Sequence, residues 1–478
     1  MANLEKSILT VTDPTIELDE LSIVDRESDD SENKTTFKPS KFLGRIIPYC
    51  KINNMEFSIS EIMYFDLDVN GFLPTLRIRI KDRSTQFISN HFPKDGDVIQ
   101  FIIRSGSDKS YKDIRIDFDI LSCEPGLTKS ATASTFFITG QMKIPDLLTE
   151  FCETFGEKSS FDTLLDISQK LELGFASNET DTDDIMKWIN PFDTRLKWIK
   201  DITANSYKDD DSFFYSYIDP FYYLTFININ KIFSTEEDSD DAESFTINPV
   251  DGIEEDREAE LTKQFFTNHH QFGGSSKFVS GLRPFNNSGK IFLSNGYKRF
   301  AQWVDLEDSS FNSEFVDPLV TKGTENDIHL KGRLIGEEKK SEGFNDRFYK
   351  YKYLGKQVNV DNQMHDNYHY SNVLNYQNND EIFKMGLIFD IDIPDLSIYK
   401  YQRIPIFIYN YDTTGKTVTE NREDDKSDDK SKVEGGTGAP TLDKFLSGFY
   451  VVYGINYIYE NGKMKQRINT IRREFKQI

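Results

Sequence analysis

Residues 160–233 read SFDTLLDISQKLELGFASNETDTDDIMKWINPFDTRLKWIKDITANSYKDDDSFFYSYIDPFYYLTFININKIF. Helix, stop and strand signals follow one another here with little ambiguity. Ser160 is suited to cap a helix, and Phe161, Leu164, Leu165 and Leu171 then fall at helical spacing. Gly174 is placed to end that helix in the left-handed conformation. A second helix is predicted to start at Asp193 or Thr194, to carry Leu196, Ile199 and Ile202 on one face, and to run out near Ser206 and Tyr207. Two strands, SFFYSYI and YYLTFINI, follow on either side of Asp219-Pro220-Phe221. The result is a compact helix–helix–hairpin unit with no catalytic constellation inside it. A rigid unit without chemistry, set in a long β-rich chain, suggests a structural or docking protein.

Upstream, from Phe42 to about Ile144, the chain reads as strand after strand. LRIRIK (Leu76 to Lys81) alternates apolar and basic residues, the mark of a half-buried strand. FPKDGD is a turn, VIQFIIRS a more fully buried strand, and SGSDKS the next turn. DIRIDFDILSCE alternates again, and TASTFFITGQMKI adds one more strand. Closely spaced antiparallel strands of this kind indicate a small barrel or sandwich. Residues 1–40 are acidic and polar and read as an extended or disordered arm, or as an arm that orders on a partner.

Downstream, residues 236–260 form an acidic linker, and 261–380 mix aromatic strand pieces with Gly, Asn and Ser turns, read as irregular β structure and loops. IFKMGLIFDIDIPDL and YKYQRIPIFIYNY are two strong strands. Residues 413–440 are charged and end Gly-rich, a surface insertion between strands. GFYVVYGINYIYENGKMKQRINTIRREF closes the chain as a hairpin, because Asn461-Gly462 is the favoured pair for a tight type I′ turn.

At 478 residues the chain exceeds one ordinary core, and two to four domains are expected. Hydrophobic content is a modest 37%, but 39 Phe and 23 Tyr supply large buried areas and favour strands. The 57 basic against 80 acidic residues leave a net charge of −23. That disfavours general nucleic-acid binding, which rests on cationic neutralisation of phosphates, and equally an anionic membrane surface. A solvated acidic surface is the simple explanation; acidic faces that line a conduit or repel a passing polyanion are the sharper one. Cys50, Cys123 and Cys152 have neither paired nor metal-type spacing and read as free thiols. Neither a signal peptide nor an apolar run of membrane-spanning length is seen, so a soluble protein made in a cytoplasm is expected.

Candidate chemistry is sparse. His365 and His369 sit four apart in MHDNYHY, but Asp366 stands where zinc proteases carry Glu, and the flanking Asn and Tyr residues favour a surface loop. His269 and His270 are adjacent without further ligands, and no CxxC marks a zinc site. The runs TDTDD and KDDDS lack the calcium-loop pattern and read as helix-capping and turn residues. Gly273-Gly274 and GGTGAP lack the strand–helix context of a phosphate site, and no nucleophile elbow appears. Arg77, Arg79 and Lys81 form a basic stripe, to be met by carboxylates on a neighbouring strand or subunit, or by a passing polyanion. No metal, cofactor or catalytic residue is expected, and an enzyme is not.

With these pieces in place the chain resembles the baseplate hub proteins of contractile-tailed bacteriophages. The module FDTLLDISQKLELGF … RLKWIKDITANSYKDDDSFFYSYIDPFYYLTFI is similar to the family's helix-bearing α/β domain. LDVNGFLPTLRIRIKD and GDVIQFIIRS resemble its tail-tube-like barrel, and Gln402-Arg403-Ile404-Pro405 with the closing hairpin resembles the end of a second one. The acidic arm, the 261–380 region and the 413–440 insertion depart from the family's pattern.

The resemblance implies an α+β, predominantly β chain. It would hold two tail-tube-like antiparallel β-barrel domains, 41–145 and 381–478, with a helix-containing α/β domain at 146–235 between them and irregular β and loop regions besides. It implies a homotrimer whose six barrels join a three-fold central spike protein to the six-fold tail tube protein, with tape measure and baseplate wedge proteins as further neighbours. DNA would pass through the lumen without specific binding, and the protein would reside in the virion tail baseplate. Leu76 to Ile80 and Phe449 to Tyr457 are then expected in the ring-forming sheets. Arg77, Arg79, Trp188, Trp198, Tyr215, Phe449 and Tyr457 are the candidate assembly contacts, with core packing the favoured alternative for at least two of Trp188, Trp198 and Tyr215. Another tail component (wedge, tube terminator or spike) and a tail-associated cell-wall hydrolase are the competing readings; the hydrolase requires a Glu or Cys/His arrangement that the sequence does not display.

Overall fold

The computed structural model describes residues 10–11, 46–53, 55–82, 86–94, 96–105, 114–127, 134–234, 265–266, 277–287, 298–305, 310–316, 349–356, 364–382, 385–391, 394, 396, 398–410, 441–442, 446–460 and 462–472. Strands dominate and helices are few. After β1 (Thr10–Val11), the first run comprises β2 (Ile46–Ile52), β3 (Met55–Phe57), β4 (Ile62–Asp68), β5 (Thr75–Asp82), the short α1 (Gln86–Asn90), β6 (Val98–Ser105), β7 (Ile114–Leu127) and β8 (Ser134–Met142). β5 shows why these segments are strands. Leu76, Ile78 and Ile80 are fully buried while Arg77 and Arg79 face outward, as the two-residue period demands. The buried face meets a phenylalanine core in which Phe65 of β4 lies edge-on to Phe101 of β6 at 4.9 Å.

The central stretch holds β9 (Glu150–Lys158), α2 (Ser160–Lys170), β10 (Gly174–Ser177), β11 (Met186–Thr194), α3 (Arg195–Asn205), β12 (Phe214–Ile218), β13 (Tyr223–Asn228) and α4 (Ile229–Ser234). α3 and the β12–β13 hairpin stand where the sequence placed them, with Thr194 as cap accepting from the amide of Lys197. Two details differ. The cap of α2 is Ser159, whose backbone is extended (φ −70°, ψ 162°) and whose Oγ accepts from the amide of Asp162, while the amide of Ser160 is held by Asp184 at 2.7 Å. The left-handed residue after α2 is Glu172 (φ 58°); Gly174 instead opens β10, its amide bonded to the carbonyl of Tyr222. The unit is also more than helix–helix–hairpin. β10 runs parallel to β13, and Thr10–Val11 from the N-terminal arm pairs antiparallel with its other edge. β9 and β11 form a separate two-stranded ribbon.

TDTDD does the capping work expected of it. Asp184 is buried and accepts from the amides of Ser160 and, at 2.8 Å, Tyr207, tying the start of α2 to the end of α3. Burial raises its pKa, and the hydrogen bonds it accepts oppose that rise. In KDDDS, Asp209 accepts from the hydroxyl of Ser212 at 2.6 Å and closes a turn.

Between 261 and 380 the described pieces are β14 (Phe265–Phe266), β15 (Lys277–Asn286), β16 (Lys298–Asp305), β17 (Phe311–Val316), β18 (Tyr349–Lys356) and α5 (Tyr368–Ile382). The helix replaces the loop expected around MHDNYHY, and His365 is buried rather than on the surface. Its ring nitrogen Nε2 lies 3.0 Å from the carbonyl of Asn205 at the end of α3. The helix docks through polar groups: Asn375 donates to the carbonyls of Ala204 and Ser206 and accepts from the amide of Phe214, each at 2.9 Å. The acidic linker 236–260, the insertion 413–440, the SGSDKS turn beyond Ser105, His269, His270 and both Gly clusters lie outside the described residues.

The chain ends with β19 (Met385–Ile391), β20 (Arg403–Phe407), β21 (Tyr409–Asn410), β22 (Thr441–Leu442), β23 (Gly448–Glu460) and β24 (Lys463–Ile471). Glu460 pairs with Lys463, leaving a two-residue turn in which Gly462 takes φ +80°, as the Asn-Gly pair predicts. Among the described residues, thirteen strands join in one sheet in the order β20-β14-β15-β19-β24-β23-β4-β5-β8-β7-β6-β2-β3. The two strand-rich ends of the chain are thus continuous. The long β23 is the reason: Asn456–Glu460 pair with β4, while Gly448–Val451 pair with β20. Leu76 to Ile80 and Phe449 to Tyr457 both lie in this sheet. No helix among the described residues is long and apolar enough to cross a membrane.

Candidate assembly site

The loop between β4 and β5 binds three parts of the chain at once. The side chain of Asn70 donates to Asn456 Oδ1 on β23 at 2.8 Å and accepts from Asn469 Nδ2 on β24 at 2.9 Å. Gly454 opens a β-bulge in β23, and a Cβ there would overlap Asn70 Oδ1, so glycine makes the room. The carbonyl of Phe72 accepts from the amide of Ile218, where β12 ends. The carbonyls of Asn70 and Gly71 accept from Lys400 Nζ at 2.9 and 2.8 Å.

Lys400 is buried just before β20. Its ammonium lies 4.6 Å from the ring centre of Tyr217, 5.4 Å from Tyr215 and 5.9 Å from Tyr401. Two carbonyls and an aromatic wall take the place of its lost water. Burial pulls its pKa down to about 7, with Asp68 opposing. Tyr217 returns a bond from its hydroxyl to the carbonyl of Lys400 at 3.1 Å. Such a joint fixes the first run, the helix-bearing unit and the closing strands relative to one another. Its chemistry is positioning.

The outer face of the sheet carries charge in rows. Arg77 stands opposite Asp66, and Thr75 opposite Asp68, which faces Asn456 and then Arg467. Arg467 grips Asp390 on β19 through Nε at 2.8 Å and Nη2 at 3.2 Å. Burial raises the pKa of Asp66, opposed first by the bond from Asn456. Of the basic stripe, Arg77 thus stands opposite a carboxylate of its own chain, whereas Arg79 stands between Tyr64 and Phe137. Here Arg79, Tyr64, Glu124, Phe137 and Glu460 line a pocket of about 400 Å³.

The predicted contacts divide by exposure. Arg77 and Arg79 are exposed on β5. Trp188 and Trp198 are buried and face the interior of the unit, Trp198 stacked on Phe155 at 5.5 Å and Trp188 Nε1 donating to the carbonyl of Lys158; they are core residues of this chain. Tyr457 is likewise buried in the sheet. Tyr215 is half-buried in the Lys400 joint, and Phe449 lies under the guanidinium of Arg403 at 4.8 Å. Lys400, Asn70, Tyr217 and Tyr401 were not among the predicted residues; a lysine inside the aromatic run YKYQR was the available signal. The cysteines form no disulfide, and among the described residues no cluster of His, Cys, Asp and Glu is placed to hold a metal ion.

No family model and no curated protein matches this chain. Among solved structures it is similar to a tail protein of Neisseria meningitidis, at 7% identity and TM-score 0.48, over 89% of this chain and 96% of that one. It is similar also to the 43 kDa tail protein of prophage MuSo2 from Shewanella oneidensis, at 8% identity and TM-score 0.46, over 89% and 98%. A component of the Escherichia coli type VI secretion system is similar at 6% identity and TM-score 0.38, over 90% and 79%.

Proposed function

We propose that this chain is a structural hub of a phage tail baseplate, a trimeric adaptor between a three-fold spike and a six-fold tail tube, with no catalytic role. The observation that carries the reading is the shared strand β23. Pairing runs from β23 through β24, β19, β15, β14 and β20 and back to β23, a circuit of the kind a barrel requires. On its other side the same strand pairs with β4 and so continues into the strands of the first run. In this reading 41–145 supplies one tube-like unit, 381–478 together with β14 and β15 supplies the other, and 146–235 is a side domain. Three chains then place six such units around one axis.

The Lys400 joint supports the reading, since a ring of this kind works only if the two units of each chain hold a fixed angle. Spike, tube, tape measure and wedge proteins are the proposed neighbours, and DNA passes through the lumen of the assembled virion tail. Sedimentation of the full chain tests the stoichiometry. The expected mass is three times 55.5 kDa, alone or on addition of the particle's spike. A chain that stays monomeric under both conditions contradicts the reading.

A further inference from the structure

Across the neighbouring strands β23, β4, β5, β8 and β7, the residues Glu460, Tyr64, Arg79, Phe137 and Glu124 stand in one cross-strand row, each directly opposite the next. None of the five is buried. The row alternates acidic, aromatic, basic, aromatic, acidic. Two residues along, β4 and β5 put Asp66 opposite Arg77, the pairing by which a sheet surface satisfies its charges. In the Arg79 row, aromatic rings stand where the counter-charges would. They hold neighbouring charges two strand spacings, about 10 Å, apart. Among the described residues Arg79, Glu124 and Glu460 make neither a hydrogen bond nor an ion pair. A β-bulge between Ile62 and Tyr64 turns Met63 out beside them, and Met63 and Phe137 are 38% and 37% exposed. All six residues line the pocket described above.

We propose that this row docks an α-helix of another protein, one carrying a carboxylate with a cationic side chain two helical turns away on either side. Spacing selects the helix. Positions i and i+7 of an α-helix lie about 10 Å apart on one face, as the charges of the row do. Same-face positions of an extended segment fall about 7 or 14 Å apart instead. Charge selects the residues. A carboxylate at i+7 meets the Arg79 guanidinium, whose fork pairs with it at two points, and Lys or Arg at i and i+14 meet Glu460 and Glu124. Apolar residues at i+4 and i+11 then lie over Tyr64 and Phe137. A polyanion is disfavoured, because two carboxylates flank the single cation at about one Debye length. A second copy is disfavoured as well, since none of the described helices carries such a triplet. The row lies within one chain, so the contact does not depend on the trimer.

Fluorescence anisotropy with the full chain and two synthetic helical peptides of identical composition tests this. The first peptide carries Lys at i, Glu at i+7 and Lys at i+14, with Leu at i+4 and i+11 and Ala elsewhere. The second exchanges the Glu with the first Lys, so net charge and any general attraction to an acidic chain are the same. The first is expected to bind about tenfold more tightly than the second. That preference is expected to vanish in Arg79→Ala, with circular dichroism as the fold check. Equal binding of the two peptides by the wild-type chain, or binding of neither, overturns the site. A preference that survives Arg79→Ala in a folded chain overturns it too.

Discussion

Lys400 Nζ donates to the carbonyl of Asn70, 330 residues earlier in the chain, at 2.9 Å. No local preference brings these groups together, so their contact reports how firmly the two strand-rich ends are locked. Replacing Lys400 by Ala leaves two buried carbonyls without their donor and opens space among Tyr215, Tyr217 and Tyr401. A loss of about 2–3 kcal/mol is expected, read from urea unfolding at pH 9.

The same lysine gives the fold a pH dependence of definite sign. Its pKa falls from 10.5 in the free side chain to about 7 here, so between those values the unfolded chain holds more protons than the folded one. Stability attributable to Lys400 therefore rises with pH from about 7 upward and is flat below. Thermal melts of wild type and Lys400→Met should diverge in favour of wild type as pH is raised from 7 to 9.5. Parallel curves over that window contradict a buried, depressed amine.

Gly454 and Asn70 form a pair that substitution can uncouple. A methyl group at Gly454 overlaps Asn70 Oδ1, so Gly454→Ala is expected to cost about 1–3 kcal/mol. In the background of Asn70→Ala the same change should cost clearly less, because the overlapping group is gone. A double-mutant cycle from chemical denaturation measures the difference.

The docking of α5 rests on Asn375, which is buried against the end of α3 and the start of β12. Asn375→Leu keeps the volume and removes the bonds. Faster amide hydrogen exchange is expected along 368–382, with the thirteen-stranded sheet unaffected.

How much of this was legible in the sequence follows from which forces act locally. LRIRIK declared itself because one face of β5 is buried and the other wet, and the closing hairpin because Asn-Gly fits one turn. α3 and the β12–β13 hairpin were read for the same reason. α5 was missed because its docking face holds Ser371, Asn375 and Asn379, polar groups spent on the backbone of another helix and strand, so no apolar stripe marks it. The pairing of β4 with β23 was beyond reach. It joins residues such as Asp66 and Asn456, 390 apart, and depends on tertiary register alone. The Lys400 joint was hidden likewise, since a lysine in sequence reads as a surface residue. For Trp188, Trp198 and Tyr215 the sequence left contact and core open, with core packing favoured for at least two, because an aromatic residue serves both; the two tryptophans are buried within this chain.

The central claim is that each chain places two sheet units, joined by β23, around a common axis. A three-dimensional electron cryo-microscopy reconstruction of the purified full-length assembly tests it most directly. The account predicts three chains whose six sheet units form one closed ring about an open channel, with the helix-bearing units outside. A reconstruction in which the units of one chain face different axes, or in which no ring encloses a channel, would contradict it.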